Sequence, residues 1–175
     1  ASALASMVGN LTVGKKKYAD VEERMQAELV ELADTREHLL ALIDEDARAF
    51  GPLAAAYGMP KGSDEERAAQ SAALQAALVD ACEVPLEIMA TSVQVIESCV
   101  FMARHGSVLA LSDAGAAAVL AKAALQAASL NVVINIGSMD DAERAEGYRN
   151  QMEDLLAAGC AMADEVYADV VKRLS

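Results

Sequence analysis

Apolar positions recur at three- and four-residue steps along almost the whole chain, and no stretch alternates apolar with polar residues for long enough to argue for a strand. The pattern predicts an all-α protein of about six helices. The first covers the apolar start and stops near Gly14, and the second runs from an Asp20 cap to about Phe50, with Val21, Met25, Leu32, Leu39, Ile43 and Phe50 on one stripe. "GPLAAAYGMPKGS", residues 51–63, holds three glycines and two prolines and reads as a loop with one short turn of helix inside it. Ser63 with Glu66 is a capping box that opens the third helix. Pro85 lacks an N–H and disfavours helical geometry at Val84, so the third helix ends or kinks there and a fourth continues to His105, stopped by Gly106. Ser112 caps the fifth helix, which carries only Asp113 and Lys122 as charges and is apolar nearly all round, as befits the centre of a bundle. The sixth runs from about Asp140 to Leu174, with Met152, Leu155, Gly159, Ala163, Val166, Val170 and Leu174 in helical register.

The second and sixth helices, each roughly 45 Å long at the helical rise, exceed the width of an 18.3 kDa globule. Together with faces of small residues that let helices approach closely, their length predicts a homodimer. The chain of 175 residues is one domain in size, and its 54% apolar fraction is built from Ala, Leu, Val and Met with only 3% aromatic residues, the palette of close-packed helices. A net charge of -13 makes the surface repel phosphate backbones, which argues against nucleic acid as a partner. The longest uncharged apolar run, Ala123 to Met139, is interrupted by Gln126, Asn131 and Asn135 and is too short and polar for a membrane span. Cys82, Cys99 and Cys160 are odd in number and lack ligand spacing, which predicts buried reduced thiols and a cytoplasmic protein. His38 and His105 have no Glu-x-x-His partner, and there is no phosphate-binding loop, dinucleotide fingerprint or nucleophile elbow. No metal site is expected.

Three places carry candidate chemistry. Asp46 stands three, four and seven residues from Ile43, Leu42 and Leu39, inside the apolar stripe, where a carboxylate must be paired, hydrogen-bonded or protonated. An internal salt bridge, a helix-cap contact and an acid-base role all fit. Ser112 and Asp113 open a helix whose far end carries Asn131 and Asn135, one turn apart; N-capping accounts for the first pair as well as ligand contact does. Asp113 and Asn131 are about 27 Å apart along the axis, so they serve opposite ends of a long ligand or two contacts across a dimer. Lys15, Lys16 and Lys17 follow a helix end, where cations meet exposed carbonyls. Asn10, Thr12 and Gly14 add hydrogen-bonding groups beside them, a combination that also suits a carboxylate-bearing ligand.

The ordered motifs "GNLTVGKKKYADVEE", "DEDARAFGPLAAAYGMPK", "EVPLEI", "LSDAGAAAVLAKAAL" and "NVVIN" resemble the methenyltetrahydrofolate cyclohydrolase and formiminotetrahydrofolate cyclodeaminase family over essentially the whole chain. The resemblance implies an up-and-down helical bundle that dimerises and acts on folate-bound one-carbon units. Members usually begin with a Pro-Gly-Gly-Gly segment leading into the first helix, so the expectation is a single domain over residues 1–175 lacking that short segment. Carried over by position, the folate-handling motifs fall on Asn10, Thr12, Gly14, Lys15, Lys16 and Tyr18, on Asp46 and Phe50, and on Ser112, Asp113, Asn131 and Asn135.

The implied reaction is hydrolysis of the methenyl bridge, a cationic amidine whose carbon is already electrophilic, to 10-formyltetrahydrofolate. Hydrolysis needs a delivered water and proton transfers that break the N5 bond; beyond the folate carrier no cofactor is expected. Asp46 or Asp113 is expected to orient or deprotonate water and complement the cation, and Lys16 to assist proton transfer or bind a folate carboxylate. Cyclodeamination, the loss of ammonia from 5-formiminotetrahydrofolate, is the close alternative. A non-enzymatic helical binding protein is the alternative of a different class.

Overall fold

The computed structural model describes residues 1–175 and contains five α-helices and no strand: α1 (Ser2–Asn10), α2 (Glu22–Tyr57), α3 (Asp64–His105), α4 (Leu111–Ile136) and α5 (Ala142–Leu174). Short 3-10 turns at Lys16–Val21 and Val108–Ala110 lead into α2 and α4. The all-α expectation holds, with five helices where about six were expected, because neither proline stops its helix. α2 runs through Pro52 to Tyr57, so the front half of the expected loop is helical, and α3 runs through Pro85 as one element of 42 residues. A proline forfeits a single intrahelical bond and kinks the helix; burial of the flanking turns, with Leu53 and Ala56 on one side and Cys82, Leu86 and Met89 on the other, outweighs that cost.

The ends of α3 follow the sequence closely. The Glu66 N–H donates to Ser63 Oγ and the Ser63 N–H to Glu66 Oε2, both at 3.1 Å, completing the capping box. The start of α4 does not. The 3-10 turn at Val108–Ala110 feeds straight into Leu111, so Ser112 is already inside the helix, exposed, and caps nothing.

The centre of the bundle is α3, which packs against α1, α2, α4 and α5. Its Met89, Val95, Ile96, Cys99 and Met102 meet Leu125 and Val132 of α4 and Ala163, Val166 and Val170 of α5 in one continuous core. Gly159 of α5 permits the closest approach: a Cβ there would stand 2.5 Å from Leu125 Cδ2 and 3.0 Å from Val93 Cγ2. The expected central helix, α4, is buried on one side only. Val119, Leu120, Leu130, Val133 and Ile134 leave an apolar face open on the other. By length and hydropathy α3 and the segment Val108–Ile136 would suffice to cross a membrane, and here 56% and 44% of their apolar windows are buried against the rest of the chain.

Candidate active site

The N-terminal residues build one end of the molecule. At the close of α1 the chain turns through Gly14, whose φ of 72° lies in the left-handed region that glycine adopts without strain. The Gly14 N–H donates to Glu22 Oε2 at 2.9 Å, which fixes the corner against the first turn of α2. Lys15, Lys16 and Lys17 project from this corner into solvent with no carboxylate partner, although carboxylates outnumber cations on the chain. Lys17 Nζ lies 5.3 Å from the centre of the Tyr18 ring. Asn10, the last residue of α1, is exposed beside them.

Thr12 and Tyr18 face the other way and hold the α3–α4 connection. The Thr12 hydroxyl donates to the Val8 carbonyl at 2.7 Å and accepts from the Ser107 N–H at 2.8 Å, and the residue is 1% exposed. Thr12 was expected to touch ligand; with its hydroxyl used on both sides and its side chain sealed in, it positions the corner instead. The Val108 N–H donates to the Tyr18 phenolic oxygen at 3.2 Å. That bond, aided by Ser107 and the Lys17 charge, holds the phenol below its ordinary value of 10.0. Through these two contacts the lysine corner and the first turn of α4, with exposed Ser112 and half-buried Asp113, belong to the same end of the bundle.

The second cluster lies at the other end of α4. Asp46, Ala49, Phe50, Leu53 and Tyr57 of α2, Ala81 of α3, and Asn131, Ile134 and Asn135 of α4 line a cavity of about 280 Å³. The structure thus brings four of the sequence-selected residues, Asp46, Phe50, Asn131 and Asn135, to one place. Asp46 was expected on a buried face and is exposed. It does fall in register with the inward residues Leu42, Ala49 and Leu53, but at its level the stripe opens onto the cavity rather than onto another helix. The expected stripe holds at Met25, Leu32 and Leu39 and fails toward the end of the helix: Ile43 and Phe50 are 63% and 61% exposed, and Leu42, Leu53 and Ala56 point inward. Asn135 Nδ2 donates to the Ala81 carbonyl at 2.5 Å, while the Asn131 side chain is exposed and makes no hydrogen bond within the chain. Tyr57 and Ala81 escaped sequence selection, Tyr57 because its segment read as a loop.

The largest cavity, about 560 Å³, holds none of the selected residues. It is a polar groove between α2 and α3 whose buried Glu28 carboxylate is hydrogen-bonded by Arg24, and Arg24 in turn lies 5.8 Å from the Phe101 ring. Between the lysine corner and the Asp46 cavity the axis of α4 interposes about 27 Å at 1.5 Å per residue. Within this chain the two clusters therefore do not meet.

Comparison with known proteins settles the ancestry. The family model for formiminotransferase-cyclodeaminase matches residues 1–154. The chain belongs to the formiminotransferase-cyclodeaminase family. A methenyltetrahydrofolate cyclohydrolase of Methylorubrum extorquens is 39% identical over 174 residues, covering 99% of this chain and 84% of that protein. A formimidoyltransferase-cyclodeaminase of Rattus norvegicus is 34% identical over 155 residues, 89% of this chain but 29% of the rat protein. The crystal structure of formiminotetrahydrofolate cyclodeaminase from Thermotoga maritima aligns over 98% of this chain and 79% of its own, with TM-score 0.78 and 32% identity. Both clusters lie within the matched residues 1–154, a domain shared by relatives of two named activities.

Proposed function

We propose that this chain hydrolyses 5,10-methenyltetrahydrofolate, reversibly, to 10-formyltetrahydrofolate. The observation that carries the reading is the gathering of Asp46, Phe50, Asn131 and Asn135 around one cavity, in a chain 39% identical over nearly its full length to a methenyltetrahydrofolate cyclohydrolase.

The substrate carries a positive amidinium bridge at one end and carboxylates at the other, and the two half-sites have the complementary charges. A carboxylate and amide cavity suits the bridge, and an unpaired lysine corner suits the glutamate tail. Because the half-sites lie at opposite ends of α4, the working unit in this account is a homodimer. Two copies pair through the open apolar face of α4 and the exposed Val30, Leu40, Ile43 and Phe50 of α2. Antiparallel pairing sets Lys15, Lys16 and Asp113 of one copy against the Asp46 cavity of the other.

Chemistry then needs only water and proton carriers. One carboxylate takes a proton as water adds to the bridge carbon, giving a neutral hydroxyl adduct. Collapse of the adduct moves the hydroxyl proton to N5, breaks the carbon–N5 bond and leaves the formyl group on N10, with one proton released overall. Asp46 and Asp113 share this work, Lys16 holds a folate carboxylate, and no cofactor beyond the folate carrier enters. Unpaired cysteines at 82, 99 and 160 are in keeping with a cytoplasmic location.

Purified protein with 5,10-methenyltetrahydrofolate tests the reading: loss of the methenyl absorbance faster than the spontaneous rate is expected. The solved relative is named a cyclodeaminase, so the same preparation is offered 5-formiminotetrahydrofolate. Gain of methenyl absorbance there, with no acceleration of its loss, would assign cyclodeamination instead. Absence of both signals leaves the non-enzymatic helical binding protein.

A further inference from the structure

We infer that Pro85 is a positioning residue for the hydrolytic water: it holds the Asn135 amide with its carbonyl oxygen toward the cavity, where that oxygen and the Asp46 carboxylate form a pair of acceptors. The inference rests on the hydrolase reading above.

Every carbonyl inside an α-helix pairs with the N–H four residues on. The partner of the Ala81 carbonyl would be the N–H of residue 85, and proline has none. The gap falls in mid-helix at a residue only 8% exposed, where a bare carbonyl is costly. α2 has the same defect, since Pro52 orphans the Arg48 carbonyl, but Arg48 and Pro52 are both exposed and solvent serves that site. Only the gap in α3 must be filled from within the fold. Asn135 of α4 fills it, reaching the Ala81 carbonyl with Nδ2 at 2.5 Å.

That bond settles which way the amide points. A carbonyl accepts and never donates, so the NH2 half of Asn135 faces Ala81, using one of its two protons, and Oδ1 is the acceptor left for the cavity it lines. Asp46 on the same cavity is also an acceptor. A water that donates one proton to each has its lone pairs free and directed away from both, toward the electrophilic bridge carbon. An amide turned the other way would donate into one lone pair of that water and leave Asp46 as the one acceptor for its protons, so the water would be less well oriented and less nucleophilic. The orientation therefore aids attack and is set by a proline on a different helix, and Pro85 itself touches nothing that reacts.

The test uses the full chain as wild type, Pro85→Ala, Asn135→Ala and the double variant. Pro85→Ala restores an N–H for the Ala81 carbonyl and releases Asn135. In that variant the side-chain amide protons of Asn135, followed by nitrogen-15 NMR, should exchange with solvent at least about tenfold faster, the equivalent of one lost hydrogen bond. Its kcat should fall about ten- to a hundredfold with KM nearly unchanged, while its melting temperature does not drop. Asn135→Ala should destabilise the protein when Pro85 is present and much less in the Pro85→Ala background. Unchanged kcat in a folded Pro85→Ala enzyme, unchanged amide exchange, or equal destabilisation by Asn135→Ala in both backgrounds would each overturn the inference. A wild type without hydrolytic turnover would overturn the hydrolase reading and this role of Asn135 with it. An active wild type with an indifferent Pro85→Ala variant overturns the positioning role alone.

Discussion

Replacing Thr12 by Val removes a hydroxyl and leaves shape nearly unchanged, so it isolates the latch between the N-terminal corner and the α3–α4 connection. The hydroxyl satisfies the Val8 carbonyl at 2.7 Å and the Ser107 N–H at 2.8 Å, in a residue 1% exposed beside a serine 5% exposed. Neither group gains water when the hydroxyl goes, and one buried group left without a partner costs about 1–3 kcal/mol. With two groups affected and some relaxation, Thr12→Val should destabilise by about 2–3 kcal/mol, which for a domain of this size lowers the melting temperature by about 5–10 °C. Thr12→Ser keeps both hydrogen bonds, loses one methyl group and should cost only about 1 kcal/mol. Thermal unfolding followed by circular dichroism, at one fixed protein concentration, gives both numbers. The two variants should also separate in catalysis, with KM for the folate substrate rising in Thr12→Val and not in Thr12→Ser, since the valine frees the lysine corner from α4. A Thr12→Val protein as stable as wild type, or one less affected than Thr12→Ser, would refute the latch.

Burial pushes the Cys99 thiol up to about 12 and the Cys82 thiol up to about 11, so iodoacetamide at pH 8 should modify the half-buried Cys160 first and reach the other two only on unfolding, as read by mass spectrometry. Gly159→Ala drives a Cβ to 2.5 Å from Leu125 Cδ2 and should destabilise by about 1–3 kcal/mol in denaturant titration. In a spectrophotometric titration Tyr18, held below 10.0 chiefly by the Val108 N–H, should ionise before Tyr148, whose burial and neighbouring Glu83 raise it. Because the folded pKa of Tyr18 is depressed, its ionisation adds stability above pH 10 and that contribution disappears as pH falls through the lowered value; Tyr18→Phe should abolish both the early transition and this rise. Lys122 is shifted upward by its hydrogen bond to Asp164, so the stability difference between wild type and Lys122→Met should be present at neutral pH and vanish as pH rises above 10.5 and through the raised value.

Helical periodicity made the fold class legible, and the Ser63 capping box showed the start of α3, because those signals are local. The prolines misled for the opposite reason. Whether Pro52 and Pro85 break their helices depends on what the turns beyond them bury, and Leu53, Ala56, Leu86 and Met89 bury enough to carry both helices through. Asp46 was legible as a residue in register with an apolar stripe, but not as an exposed one, since the sequence does not reveal that the stripe opens onto a cavity there. Thr12 stood out within its motif, yet its role depends on Ser107, 95 residues away. The Asn135 to Ala81 contact was equally out of reach, although the pairing of a mid-helix proline with an amide on a helix of only two charges is a signal that could have suggested it.

The most direct test of the central claim, a folate-hydrolysing site assembled from half-sites on two copies, is complementation between Asp46→Asn and Asp113→Asn. Each variant alone should hydrolyse 5,10-methenyltetrahydrofolate at least about a hundredfold more slowly than wild type. Unfolded together in equal amounts and refolded, half of the dimers are mixed and one site in each mixed dimer has both carboxylates, so about a quarter of wild-type turnover should return. A mixture as inactive as its parents, or either parent turning over at the wild-type rate, would contradict the account.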